Sequence, residues 1–229
     1  MIIVSKNIRT VLWDLDGTLL NSMAVFEEVL AEILPEFNLA VPSHKVVSKN
    51  FHGNLQESMA VMLGLRAEEL RPIIDKFLSV QNNHYEVIDH HLCPDAVGLA
   101  KRFHLAGMRQ ILVTNREHTG RLQASPRSIV ANSELTKYID TVICGDDSEH
   151  RKPKPEVLGD LFTNGDFVPE STMVIGDQFV DGEFALSLGV KAILVSRQET
   201  GEILHAERLV GNWRSTIEVV RTLEDVQVA

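Results

Sequence analysis

The chain has 229 residues, 44% of them hydrophobic and 24% charged, with a formal net charge of -10. This is ordinary globular composition with enough apolar material for a sizeable core, in one large domain or two modest ones. The acidic balance repels polyanions and so argues against a nucleic-acid backbone or an anionic membrane surface as partner, while a small phosphate ester fits wherever positive charge is locally concentrated.

The two cysteines, Cys93 and Cys144, lie far apart and match neither a metal-binding spacing nor a disulfide framework, so they read as reduced, buried thiols. No basic stretch followed by an apolar run opens the chain, and Asp14 and Asp16 interrupt the most apolar early segment. Neither a signal peptide nor a membrane span fits, and a cytoplasmic location is expected.

Thr10-Val11-Leu12-Trp13 is the first of five short apolar runs; the others are 110–114, 141–144, 172–175 and 192–195. Such β-rich runs, apolar on both faces, predict central strands of a parallel sheet. Asp14-Leu15-Asp16-Gly17-Thr18 follows the first run directly. Residues two apart on a strand share a face, so both carboxylates can point into one cleft at the strand's end, the edge at which open α/β sheets bind ligands. Two close carboxylates repel until a cation or a proton intervenes, and Gly17 allows a sharp turn away. Taken alone, Asp16-Gly17 is also an ordinary turn pair.

From about Ser22 to His91 the periodicity is helical, with no convincing strand. Val25, Phe26, Val29, Leu30, Ile33 and Leu34 mark a helix ending near Pro35; Leu55, Met59, Met62 and Leu63 mark another ending at Gly64; Leu70, Ile73, Ile74 and Phe77 mark a third. A helical block inserted after the first strand predicts a cap over the sheet's carboxyl edge. Within it, Phe51-His52-Gly53-Asn54 suits a tight loop descending on the site, through which His52 or Asn54 would touch a substrate's organic part; a plain helix-helix turn reads equally well. His90-His91-x-Cys93 has metal-binding residue types, but adjacent histidines on an extended chain point opposite ways and no second cluster completes a set, so a hinge is the better reading.

Beyond the block, Asp95 after Pro94 is expected to N-cap a helix with Leu99, Phe103 and Leu105 as apolar contacts and Gly107 as its stop, which gives a strand-helix-strand rhythm. The second strand ends in Thr114-Asn115, where a hydroxyl and free backbone N–H groups suit a phosphate oxygen, or merely cap a helix. Arg151-Lys152-Pro153-Lys154-Pro155 is a cationic patch on a backbone stiffened by proline. Val174-Ile175-Gly176-Asp177 runs into another acidic turn with Asp181 beyond, completing an oxygen-rich set of the kind magnesium prefers.

In this order, each after a strand, the four segments resemble the haloacid dehalogenase superfamily of phosphohydrolases. Its pattern of DxDGT, a strand-terminal Thr or Ser, a Lys before Pro-x-Pro, and GDxxxD is matched by Asp14 to Thr18, Thr114, Lys152, and Gly176 to Asp181. The helical insert resembles the small cap of the phosphoglycolate phosphatase and β-phosphoglucomutase subgroup. The resemblance implies a Rossmann-like core over residues 1–20 and 93–229 and a cap over 21–92. It implies Asp14 as nucleophile, Asp16 as acid and base, and Thr114, Asn115 and Lys152 around the phosphate. Mg2+ would be held by Asp14, the carbonyl of Asp16, and Asp177, with Asp181 holding a metal-bound water or orienting Lys152.

Asn21 stands where the family often has Asp, and Lys152 is preferred to Lys154 for its place in Lys-Pro-x-Pro. The substrate implied is a sugar phosphate, phosphoglycolate or a nucleotide monophosphate, on a monomer or weak homodimer with no nucleic-acid or membrane partner. A phosphomutase is the nearest alternative, although Thr18 leans towards hydrolysis; a non-catalytic phosphometabolite-binding module is the third reading.

Overall fold

The computed structural model describes residues 1–51, 55–85, 88–119, 124–159, 161, 167–197 and 216–228. Six parallel strands form the main sheet in the order β4-β3-β2-β5-β6-β7: β2 is Thr10–Trp13, β3 Arg109–Val113, β4 Thr141–Ile143, β5 Thr172–Gly176, β6 Lys191–Val195 and β7 Ile217–Val220. A separate parallel pair joins β1 (Ile2–Val4) to β8 (Val226–Val228). The chain steps from β2 outward through β3 to β4 and then returns to β5 on the other side. The strand order therefore reverses at β2, opening a crevice at the carboxyl ends of β3, β2 and β5.

Period-two alternation sends each strand's apolar residues to two cores. Val11, Trp13, Leu112, Met173, Ile175, Ile193 and Val195 face α5 (Pro94–Leu105) and α6 (Pro126–Ala131). Leu12, Ile111, Val113, Val174, Ala192 and Leu194 face α7 (Phe179–Leu188) and the turn Pro155–Leu158. One buried polar bridge crosses the first core: Trp13 Nε1 donates to Gln110 Oε1 at 2.9 Å, and Gln110 Nε2 donates to the Ala100 carbonyl at 2.9 Å. Both polar groups of the amide are thereby satisfied at zero exposure, as a buried amide requires.

Between β2 and α5 the described elements are all helical: α1 (Ser22–Ile33), α2 (His44–Asn50), α3 (Leu55–Leu63) and α4 (Ala67–Tyr85). They close over a core of their own built on Val25, Phe26, Val29, Ile33, Met59 and Phe77. α1 stops at Ile33 before Pro35, and α3 stops at Gly64, whose φ of +65° is the left-handed turn that glycine supplies cheaply. The entering and returning chains run side by side: Asn21 N–H donates to the His91 carbonyl at 2.8 Å, Cys93 N–H donates to the Leu19 carbonyl at 2.8 Å, and Leu20 forms an isolated bridge with Leu92.

Two details of α5 differ from expectation. Cys93, not Asp95, is the N-cap, because Pro94 has no N–H to satisfy and takes the first helical position. Asp95 instead accepts from Leu223 N–H at 2.9 Å, Thr222 Oγ1 at 3.1 Å and Arg197 Nη2 at 2.6 Å. Leu105 is 76% exposed, since two residues past Phe103 is roughly 200° round the helix. Both cysteines are free and buried, and burial raises each thiol to about 11.

Candidate active site

Asp14 follows β2 directly, with its N–H bound to the Ile175 carbonyl at 2.8 Å, so its side chain is set by the sheet itself. Gly17, at φ +82°, turns the chain back; a Cβ there would lie 2.1 Å from Asp177 Oδ2, so no larger residue lets the two loops approach. Thr18, fully buried, donates its hydroxyl to Asp177 Oδ1 at 3.1 Å and thereby aims the fourth segment's first aspartate at the first segment.

Lys152 reaches the same point from the loop after β4. Its Nζ donates to Asp14 Oδ1 at 2.5 Å and to Asp181 Oδ1 at 2.7 Å, and all three residues are buried. Asp181 Oδ2 accepts from Gln178 N–H at 3.1 Å, which caps α7 and uses the second oxygen. Asp181 thus ties Lys152 Nζ to the first turn of α7. Asn115 holds the backbone of Lys152 at both ends, accepting from its N–H at 2.9 Å and donating to its carbonyl at 3.1 Å. Its side chain is therefore spent on positioning Lys152, whereas Thr114, buried at the tip of β3, accepts from Arg116 N–H at 3.1 Å and keeps its own O–H proton to donate.

The charges strain against burial. Asp14 is raised to about 7, first by burial, with Asp181 and Asp16 adding to the rise and Lys152 opposing it. Asp177 is also raised well above the usual carboxylate range, by burial and then by Asp14 and Asp181. Burial pulls Lys152 down, but the Asp14 and Asp181 carboxylates outweigh it and hold the ammonium above its ordinary value. Carboxylate oxygens of Asp14, Asp177 and Asp181 lie within 4.8 Å of one another. Lys152 does not neutralise such a set alone. An all-oxygen donor group of this charge fits a hard divalent cation, which would let Asp14 and Asp177 ionise together.

Arg116 belongs to none of the four motifs, yet it reaches the site. Its Nε donates to Asp16 Oδ2 at 3.0 Å, its Nη2 to Asp16 Oδ1, and its Nη1 to the Ala124 carbonyl at 3.2 Å. The two-pronged hold on Asp16 is the strong fork-to-carboxylate geometry. Arg197, at the end of β6, donates to the Gly17 carbonyl at 2.6 Å and braces the same turn. Nothing in the sequence separates either arginine from an ordinary loop cation. His52, Gly53 and Asn54 lie outside the described residues.

A family model of haloacid dehalogenase-like hydrolases matches residues 11–195. The chain belongs to that family. Among its relatives are pyrophosphatase PpaX of Bacillus mycoides, 26% identical over 191 residues and spanning 82% of this chain and 84% of the relative, and the phosphoglycolate phosphatase of Salmonella typhimurium, 26% identical over 217 residues and spanning 82% and 81%. Solved structures agree in fold. A haloacid dehalogenase-like hydrolase of Streptococcus pneumoniae matches with TM-score 0.68 at 17% identity over 96% of this chain and 97% of the other. CbbY of Rhodobacter sphaeroides, determined with phosphate, matches with TM-score 0.60 at 15% identity over 95% and 96%. No helix among the described residues is long and apolar enough to cross a membrane.

Proposed function

We propose that this hydrolase is a Mg2+-dependent phosphatase acting in the cytoplasm on a small phosphorylated metabolite, through a phosphoryl group carried on Asp14. The observation that carries the reading is the buried Asp14 carboxylate at the tip of the central strand, 2.5 Å from Lys152 Nζ, with the raised carboxylates of Asp14 and Asp177 calling for a cation beside it. Relatives bearing the names pyrophosphatase and phosphoglycolate phosphatase support the reaction class.

In this reading one oxygen of Asp14 attacks phosphorus, the P–O bond to the leaving alcohol breaks, and Asp16 gives that alkoxide its proton. Asp16, now ionised, takes a proton from water as the water oxygen attacks the aspartyl-phosphate; the bond to Asp14 breaks, and phosphate and the free carboxylate return. Lys152 and the Thr114 hydroxyl neutralise and orient the phosphoryl oxygens, which is most of what such a transition state asks of a protein. Asp14, the carbonyl of Asp16 and Asp177 would hold Mg2+, which screens the dianion from the carboxylates that receive it. Thr18 and Asn115 act indirectly, one aiming Asp177 and the other fixing Lys152.

The test is phosphate release from p-nitrophenyl phosphate before and after EDTA treatment. Stripped protein should be inactive, Mg2+ should restore it, and Ca2+, with its larger and looser coordination, should do so poorly. Full activity in metal-free protein would overturn the reading. A panel of phosphorylated metabolites then finds the substrate, and transfer of the phosphoryl group to a sugar hydroxyl instead of water would reveal a mutase.

A further inference from the structure

A second cluster of ligating side chains lies away from the strand tips. Glu28 and Glu32 stand one turn apart on α1, His84 is near the end of α4, and His91 closes the turn Ile88–His91. His84 Nδ1 is 3.3 Å from Glu28 Oε2, and His91 Nε2 is 3.6 Å from that same oxygen. Ligating atoms of the three residues all lie within 4.8 Å of one another.

A tetrahedral ion with bonds of about 2.05 Å holds its ligand atoms about 3.3 Å apart. Two of the three edges of this triangle are therefore already near that length, and the third is within 4.8 Å. The remaining ring nitrogen of His84, Nε2, is 3.4 Å from Glu32 Oε2. A carboxylate on the far nitrogen is how a metal-binding histidine has its tautomer and ring orientation fixed, here leaving Nδ1, the atom 3.3 Å from Glu28, as the ligating nitrogen. The two imidazole centroids are only 5.9 Å apart, so protonating both rings to pair with Glu28 would bring like charges together, a conflict that a shared cation avoids.

We propose that Glu28, His84 and His91 bind a divalent transition cation of the zinc class, with Glu32 orienting His84. Two nitrogens and one oxygen favour such an ion over magnesium, three protein ligands leave the fourth position to water, and the half-exposed Glu28 gives an entry path. The ion ties α1 and α4, the first and last helices of the inserted block, to the segment that leads back to the sheet. It is a site distinct from the carboxylates at Asp14, Asp177 and Asp181.

The test uses the full chain stripped with EDTA and titrated calorimetrically with ZnCl2 in a saturating excess of MgCl2, which occupies the all-oxygen site. One equivalent of zinc should still bind, and Co2+ in its place should give the visible bands of a four-coordinate nitrogen-oxygen site. Glu28→Gln should remove this binding. Glu32→Gln should weaken it roughly 10–100-fold, the usual effect of losing the carboxylate behind a ligating histidine. Both glutamates are half exposed, so the variants should fold and keep Mg2+-dependent aryl phosphatase activity as a control. No zinc bound in the presence of Mg2+, or binding unchanged in Glu28→Gln, would overturn the proposal.

Discussion

Asp14 and Asp16 stand two residues apart yet are held by different cations, Lys152 and Arg116. This division lets the proposed nucleophile and the proposed acid-base group be separated by experiment. Asp14→Asn should abolish turnover. Asp16→Asn should lose about 10²–10⁴-fold on an alkyl phosphate, and much less on p-nitrophenyl phosphate, whose leaving group needs no proton. Mass spectrometry after brief mixing should find the phosphorylated protein accumulating in Asp16→Asn. Arg116→Lys keeps a charge but not the fork, so it should reproduce the alkyl-over-aryl selectivity of that loss in milder form; equal losses on both substrates would mean that Arg116 does not act through Asp16. The raised Asp14 and Asp177 also fix a sign. Protons and a cation compete for these carboxylates, so the acid limb of the pH-rate profile should move to lower pH as Mg2+ rises. A limb that stays put would show that neither group controls it. The aspartates and Lys152 were legible because each closes an apolar run or sits in a proline-stiffened basic patch. Arg116 was not, because one arginine after Thr114-Asn115 carries no pattern until folding brings it to Asp16.

Among the elements, α5 shows how one carboxylate fastens several segments. Asp95, near the start of that helix, binds Arg197 after β6 and both Thr222 and Leu223 before β8. Burial by itself would raise its pKa, but the Leu223 N–H, Arg197 and Thr222 together hold it below the ordinary value. A carboxylate depressed in the folded state adds stability that is present above its unfolded pKa of about 3.9 and is lost as pH falls through the folded value. The urea midpoint of the native protein should therefore exceed that of Asp95→Asn at neutral pH, and the gap should close below about pH 4. A gap that persists in acid would assign the effect to packing. The five apolar runs announced their strands, whereas β1, β8 and β7 did not. The first two are three-residue segments paired only with each other, and β7 alternates Glu218 with apolar neighbours at the sheet's edge. Likewise His91 looked partnerless in sequence because Glu28 and His84 reach it only through the packing of α1 against α4.

At the scale of the whole molecule, recognition of phosphate and recognition of the rest of the substrate are expected to be separate tasks. Thr114 and Lys152 would meet only the phosphoryl group that all candidate substrates share, which leaves discrimination to the block proposed as a cap over residues 21–92. Substituting His52 or Asn54 should reorder a metabolite panel more than it changes turnover of a small aryl phosphate. An unchanged order in both variants would locate selectivity elsewhere.

The adjacency of the two crossings has a further consequence for how this chain can be cut. Because Asn21 N–H meets the His91 carbonyl at 2.8 Å, the helical block begins and ends side by side on the chain's path. To the host's chain entropy it is one closed loop, and shortening such a loop costs little and can even help. No strand pairing of the main sheet uses a residue between Asn21 and His91, so deleting the interior of the block and joining its ends by a tight turn should leave the sheet's pairings in place. The same adjacency should let the block be exchanged for another of different length without a change in the register of the main sheet.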